Sequence, residues 1–129
     1  MCAIIRASAL LTVIVLLNPA VSGCSRAISI HTQVLNVGAT KIACLRRPCP
    51  HRGVYRPVAG GLEARKDALI YADNDGRIGP PHLDAAPEIA AAVKTAWDAQ
   101  KCVQIDGSFD TSVSGQPTLH IIRLLGACP

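Results

Sequence analysis

The sequence predicts a mainly β domain with one helix, and three stretches carry that prediction. Residues 102–109 alternate apolar and polar, with Val103, Ile105 and Phe109 on one side, the period of a strand with one buried face. Residues 117–125 form a second strand, apolar on both sides from Ile121 onward, as a strand in the middle of a sheet would be. Between them in character stands residues 87–100, where Ile89, Ala92, Val93, Ala96, Trp97 and Gln100 recur at helical spacing.

Taken in order, residues 27–34 alternate as a half-buried strand, and the apolar parity slips by one at Val34-Leu35-Asn36-Val37. A slip of this kind predicts a β-bulge or a sharply coiled first strand. Gly38-Ala39-Thr40 reads as a turn and residues 41–45 as a short strand. Pro48 and Pro50 remove backbone donors and make residues 46–53 a loop. Residues 53–58, with Pro57, return as an edge strand before a Gly60-Gly61 turn, and residues 67–72 form the next strand. Asp73-Asn74-Asp75-Gly76 then closes it. This acidic run is not a calcium loop of the EF-hand type: its twelfth position is Asp84 instead of glutamate, and Pro80-Pro81 interrupt it.

The helix begins with Pro87 in its first turn and Glu88 beside the positive end of the helix dipole. Trp97, the one tryptophan, falls on its apolar face and is expected in the core. In the final hairpin, setting Phe109 opposite residues 117–119 brings residues 124–127 opposite Cys102. This order of strands, helix and closing hairpin over residues 27–126 resembles an OB-fold. The resemblance implies a five-stranded barrel with its helix between strands three and four. An α+β sandwich is the alternative.

The first 24 residues carry a separate signal. Arg6 and the free amine precede an apolar run at residues 7–17, Asn18-Pro19 breaks it, and small residues follow. A membrane span needs about 20 apolar residues, more than Arg6 and Pro19 leave between them. The run ends in Val21-Ser22-Gly23-Cys24, which resembles the lipobox of bacterial lipoproteins, with Val21 where leucine is most frequent. The resemblance implies cleavage after residue 23, a diacylglycerol on Cys24 and a body of residues 24–129. Ser25 in second place implies, by the enterobacterial sorting pattern, the outer membrane, facing the periplasm. Only Ser25-Arg26 would separate the lipid from the first expected strand, holding the domain close to the bilayer.

Removing residues 1–23 from the 129 leaves 106, one small domain with a single core. Aromatic residues are 3% of the chain, so the core lacks bulk and gains from covalent staples. Of six cysteines, Cys2 leaves with the signal and Cys24 carries lipid. Cys44, Cys49, Cys102 and Cys128 remain, an even number suited to two disulfides in an exported domain. Three connectivities are open; proximity and the final hairpin favour Cys44 with Cys49 and Cys102 with Cys128. A metal site at Cys44, Cys49 and His51 is disfavoured by its spacing and by an oxidising envelope.

Charge is uneven. Arg46, Arg47, Arg52, Arg56, Arg65 and Lys66 stand against Glu63 alone between Cys44 and Lys66, so the segment carries +5. It is either a solvated loop or a surface for anionic lipid, a cell-wall polymer or an acidic protein. No catalytic pattern accompanies it: His31, His51, His82 and His120 lie in unrelated contexts, and no nucleophile elbow or glycine-rich phosphate loop occurs, so no cofactor is implied. Nucleic acid is disfavoured by the export signal and by the small supply of stacking residues, Tyr55, Tyr71, Trp97 and Phe109. The reading is a non-enzymatic, membrane-anchored binding or scaffolding lipoprotein, with inhibition of a secreted hydrolase such as a lysozyme or protease as the alternative.

Overall fold

The structure, a computed structural model, describes residues 31–111 and 115–129. The lipobox, Cys24 and the first part of the expected strand at 27–34 lie outside the described residues. Six strands form one curled, mixed sheet, a half-barrel, with two helices. In chain order these are β1 (Gln33–Ala39), β2 (Arg52–Tyr55), α1 (Leu62–Ala68), β3 (Leu69–Ala72), β4 (His82–Asp84), α2 (Pro87–Asp98), β5 (Cys102–Asp110) and β6 (Thr118–Ala127). Across the sheet they run β3-β2-β1-β5-β6-β4, antiparallel except where β4 pairs in parallel with β6.

The mainly β expectation holds, but the five-stranded OB barrel does not. Residues 73–81 carry the chain from β3 at one edge to β4 at the other, and these edges do not pair among the described residues. The sheet therefore stays open, and α2 falls between the fourth and fifth strands. A helix layered on one face of the sheet is what the fold shares with an α+β sandwich.

Helix α2 forms where the spacing predicts. Pro87 opens it, and the missing N–H of proline is harmless in a first turn. Its end is a Schellman closure: Gln100 adopts φ +54, its N–H donates to the Trp97 carbonyl, and the Lys101 N–H donates to Ala96. The buried face, Val93, Ala96 and Trp97, packs on the inner face of the sheet. There it meets Leu35 and Val37 of β1, Val54 of β2, Ile105 of β5, and Leu119 and Ile121 of β6. Trp97 is 1% exposed, the core role expected of it.

The first strand departs from expectation. β1 pairs without interruption to β5 from Gln33 to Gly38, so the parity slip is not a bulge there. Leu35 and Val37 face α2, while Val34 is exposed on the opposite face. Gly38 is part of the strand, not of a turn; its φ is +119, and a Cβ there would lie 2.0 Å from the Lys101 carbonyl oxygen. Besides one at Ile70 where β3 meets β2, bulges are found in β6 instead. Its register with β5 shifts twice, leaving Ile122 and Leu125 as the extra residues. Each shift flips the side-chain parity. The apolar stretch at 121–125 is thus two parity changes rather than a doubly buried strand, and Ile122, Leu124 and Leu125 are exposed.

Residues 41–45 do not form a strand. Lys41 takes φ +56, and the Thr40 hydroxyl accepts from the Ile42 N–H and donates to the Pro50 carbonyl, turning the chain out of the sheet. β2 ends two residues before Pro57, so it lies inside the sheet between β1 and β3 and is not the expected edge. Residues 62–68 coil into α1, leaving β3 four residues and the edge position.

Candidate functional site

The favoured disulfides are both present. Cys102–Cys128 joins the start of β5 to the chain just after β6, where Val103 opposes Ala127 and the Cys128 N–H donates to the Cys102 carbonyl. Cys44–Cys49 closes a small ring within the loop between β1 and β2.

The base of this ring is held on several sides. Cys49 is buried, and its N–H donates to Asp75 Oδ1 at 2.9 Å. Its carbonyl accepts from the N–H groups of His51 and Asp75, and the Thr40 N–H donates to the His51 carbonyl. The turn at Asp73-Asn74-Asp75-Gly76, expected from sequence, thus serves as the clamp under the ring; Asn74, Asp75 and Gly76 all take positive φ there. The tip is the reverse. Leu45 has a relative exposure of 105%, the highest among the exposed large hydrophobics, and Arg46 and Arg47 are exposed and form no ion pair among the described residues.

One of the six basic residues is turned away from solvent. Arg52 points inward: its Nε donates to Asp73 Oδ2 at 2.9 Å, its guanidinium lies 5.5 Å from the Trp97 ring centroid, and Nη1 reaches the Trp97 carbonyl at 3.4 Å. Asp73 is fully buried, with Oδ1 lacking a partner, so Arg52 is the charge that makes this burial tolerable. Arg65 donates to the Lys41 carbonyl, Lys66 pairs with Glu63 one turn away on α1, and Arg56 stands exposed after β2. Arg46, Arg47 and Arg56 have no ion pair among the described residues, and of these Arg46 and Arg47 stand side by side on the ring.

The ring stands between two hollows. One of about 660 Å³ separates it from Leu62, Glu63 and Lys66 of α1; the other, about 430 Å³, lies on the side of His51 and Asp75. It also lies at the far end of β1 from Gln33, a distance of about 20 Å at 3.3 Å per residue.

A second arrangement was not legible in the sequence. β4 is only three residues, and its parallel pairing sets Asp84 opposite His120, with His120 Nδ1 at 2.6 Å from Asp84 Oδ2. Ser108 opposes His120 from β5, and the three share a hollow of about 530 Å³ with Thr32 and Asp110. No hydrogen bond joins Ser108 to His120. In the sequence Asp84 stands out only as the twelfth position counted from Asp73.

On the outer face, Asn36 is buried and its side chain accepts from Gln104 Nε2 at 3.2 Å. The Tyr55 hydroxyl donates to the Ala39 carbonyl and lies 3.0 Å from Cys102 Sγ. Burial pushes this hydroxyl above its ordinary pKa, against smaller downward pulls from Arg65 and Asn36. Tyr71 is raised by burial and by the negative charge of Asp73.

Among the described residues no group of three or more His, Cys, Asp or Glu side chains is placed to hold a metal, and no helix is long and apolar enough to cross a membrane. Comparison with protein-family models, with curated proteins and with solved structures found no match.

Proposed function

We propose that this chain is a non-enzymatic bacterial envelope lipoprotein, anchored through Cys24, that binds a partner through the Cys44–Cys49 ring. One observation carries the binding part: an entirely exposed leucine and two unpaired arginines stand on a loop whose base is fixed by a disulfide and backbone hydrogen bonds. A loop ordered before contact loses little conformational entropy on binding. The anchor rests on the lipobox resemblance, and Ser25 favours the outer membrane on its periplasmic side. The ring lies at the end of β1 away from Gln33, the end from which the chain leads back toward the anchor, and this favours an envelope protein or an anionic polymer over anionic lipid of the same bilayer.

Metabolic palmitate labelling tests the anchor: wild type takes up label, and Cys24→Ala abolishes uptake and releases the protein from the membrane fraction. A pull-down from envelope extract tests the ring: the partner retained by wild type is lost with Arg46→Glu/Arg47→Glu. Arg52 is left untouched, because reversing it would bury two like charges. The second reading, an inhibitor of a secreted hydrolase, is favoured by the same ring, since a rigid convex loop fits an enzyme cleft.

A further inference from the structure

We infer that the Cys44–Cys49 ring is a substrate-like wedge for an endopeptidase with an acidic specificity pocket, and that Arg46 is the residue that enters it. This rests on the inhibitor reading and is independent of the lipid anchor. Shape is the first argument. The hollows on either side leave the ring standing as a ridge, and Arg46 borders both of them. A ridge is complementary to a cleft rather than to a flat surface.

Charge and polarity narrow the occupant. Arg46 and Arg47 have no acidic partner among the described residues, which leaves both free to pair with an acid supplied from outside. Leu45 beside them, wholly exposed, matches an apolar subsite next to that acid. The choice of arginine follows from the covalent chain. The bond after Arg47 leads into the ring nitrogen of Pro48, which has no N–H, whereas Arg46–Arg47 is an ordinary amide. Hydrolysis of Arg46–Arg47 adds one water and leaves a carboxylate on Arg46 and an amine on Arg47. Both ends stay joined through Cys44–Cys49, so the products remain side by side, and closing the bond again is an intramolecular reaction.

The test uses the full chain and trypsin, an arginine-selective serine endopeptidase, read with a small chromogenic substrate and by intact mass. The expected result is reversible, stoichiometric inhibition by wild type. Arg46→Ala weakens it at least about 30-fold, as for a buried anchor residue at an interface, and Arg46→Lys keeps it within about tenfold. Cys44→Ser/Cys49→Ser, with its strand content checked by circular dichroism, is cut rapidly after Arg46 and no longer inhibits.

Equal inhibition by wild type and Arg46→Ala overturns the inference, as does an intact ring that neither binds nor blocks the enzyme, or cleavage at equal rates with and without the bridge. Sedimentation with phosphatidylglycerol vesicles that depends on Arg46, with trypsin unaffected, overturns it in favour of an anionic surface. If trypsin is not inhibited while an envelope partner is still lost with Arg46→Glu/Arg47→Glu, the binding-module reading survives its failure.

Discussion

The two disulfides use the same bond for different ends. Cys102–Cys128 spans 26 residues and fastens the last hairpin at the middle of the sheet, with the Tyr55 hydroxyl against its sulfur. Cys44–Cys49 spans 5 and ties Cys44 to Cys49, which Asp75 already holds. Chain-entropy arguments give roughly 3.5 kcal/mol for the first and roughly 2 kcal/mol for the second. The short bridge thus adds less to stability, and its larger effect is on the conformations left to Leu45, Arg46 and Arg47. Span along the chain separates a bond that secures a fold from one that shapes a loop.

The contact that joins the clamp of the ring to the core gives the largest expected effect. Arg52–Asp73 links β2 to the turn that clamps the ring and, through Trp97, to the core. Asp73→Ala leaves a largely buried guanidinium unpaired and is expected to cost about 3–5 kcal/mol in urea unfolding, a range whose upper end exceeds either bridge. A loss below 1 kcal/mol would mean that Arg52 finds solvent without disturbing the core.

Next comes Cys102→Ala/Cys128→Ala, expected to lower stability by about 3.5 kcal/mol with loss of hairpin amide protection in hydrogen exchange. Cys44→Ser/Cys49→Ser is expected to cost about 2 kcal/mol or less, with exchange increased around residues 44–49 and the β5–β6 pairing unchanged. The distinction between the bridges fails if these two losses are equal or reversed.

The smallest effect is in alkali. Tyr55 and Tyr71 have raised values in the folded state, so their contribution is intact below the unfolded value of about 10 and is lost as pH rises through the folded one. Wild type is therefore expected to lose stability between about pH 9 and 11 more steeply than Tyr55→Phe, measured by thermal unfolding. A steeper loss in the phenylalanine variant would contradict the burial of that hydroxyl beside Cys102.

Signals that lie within one element were legible in the sequence. Pro87 and the spacing from Ile89 to Trp97 located α2, and the alternation after Cys102 located β5 and set Phe109 opposite residues 117–119, where it pairs with Leu119. Chain distance and that hairpin favoured the two cysteine pairs that form, among three open connectivities. What was not legible depends on partners far along the chain. The turning of residues 41–45 comes from Thr40 reaching Pro50, and β4 exists because β6 offers it an edge. α1 has no such excuse of distance, but seven residues after two glycines give little periodicity to read. At the candidate site the charge run was visible while its division was not: Arg52 is drawn inward by Asp73, which resembles any acidic turn residue until the fold brings it 2.9 Å from Arg52.

The two extra residues in β6 also bear on how copies of the chain behave together. From Ile121 onward β6 is paired only with β5 among the described residues, and its outer side is an open edge flanked by exposed Ile122, Leu124 and Leu125. A straight, apolar edge is a template on which a second molecule can add its own strand and start a growing aggregate. In β6 the hydrogen-bonding groups fall out of step at Ile122 and again at Leu125, so a regular incoming strand can match only short lengths of it. The irregularity that hid this strand's periodicity protects the protein from polymerising through it.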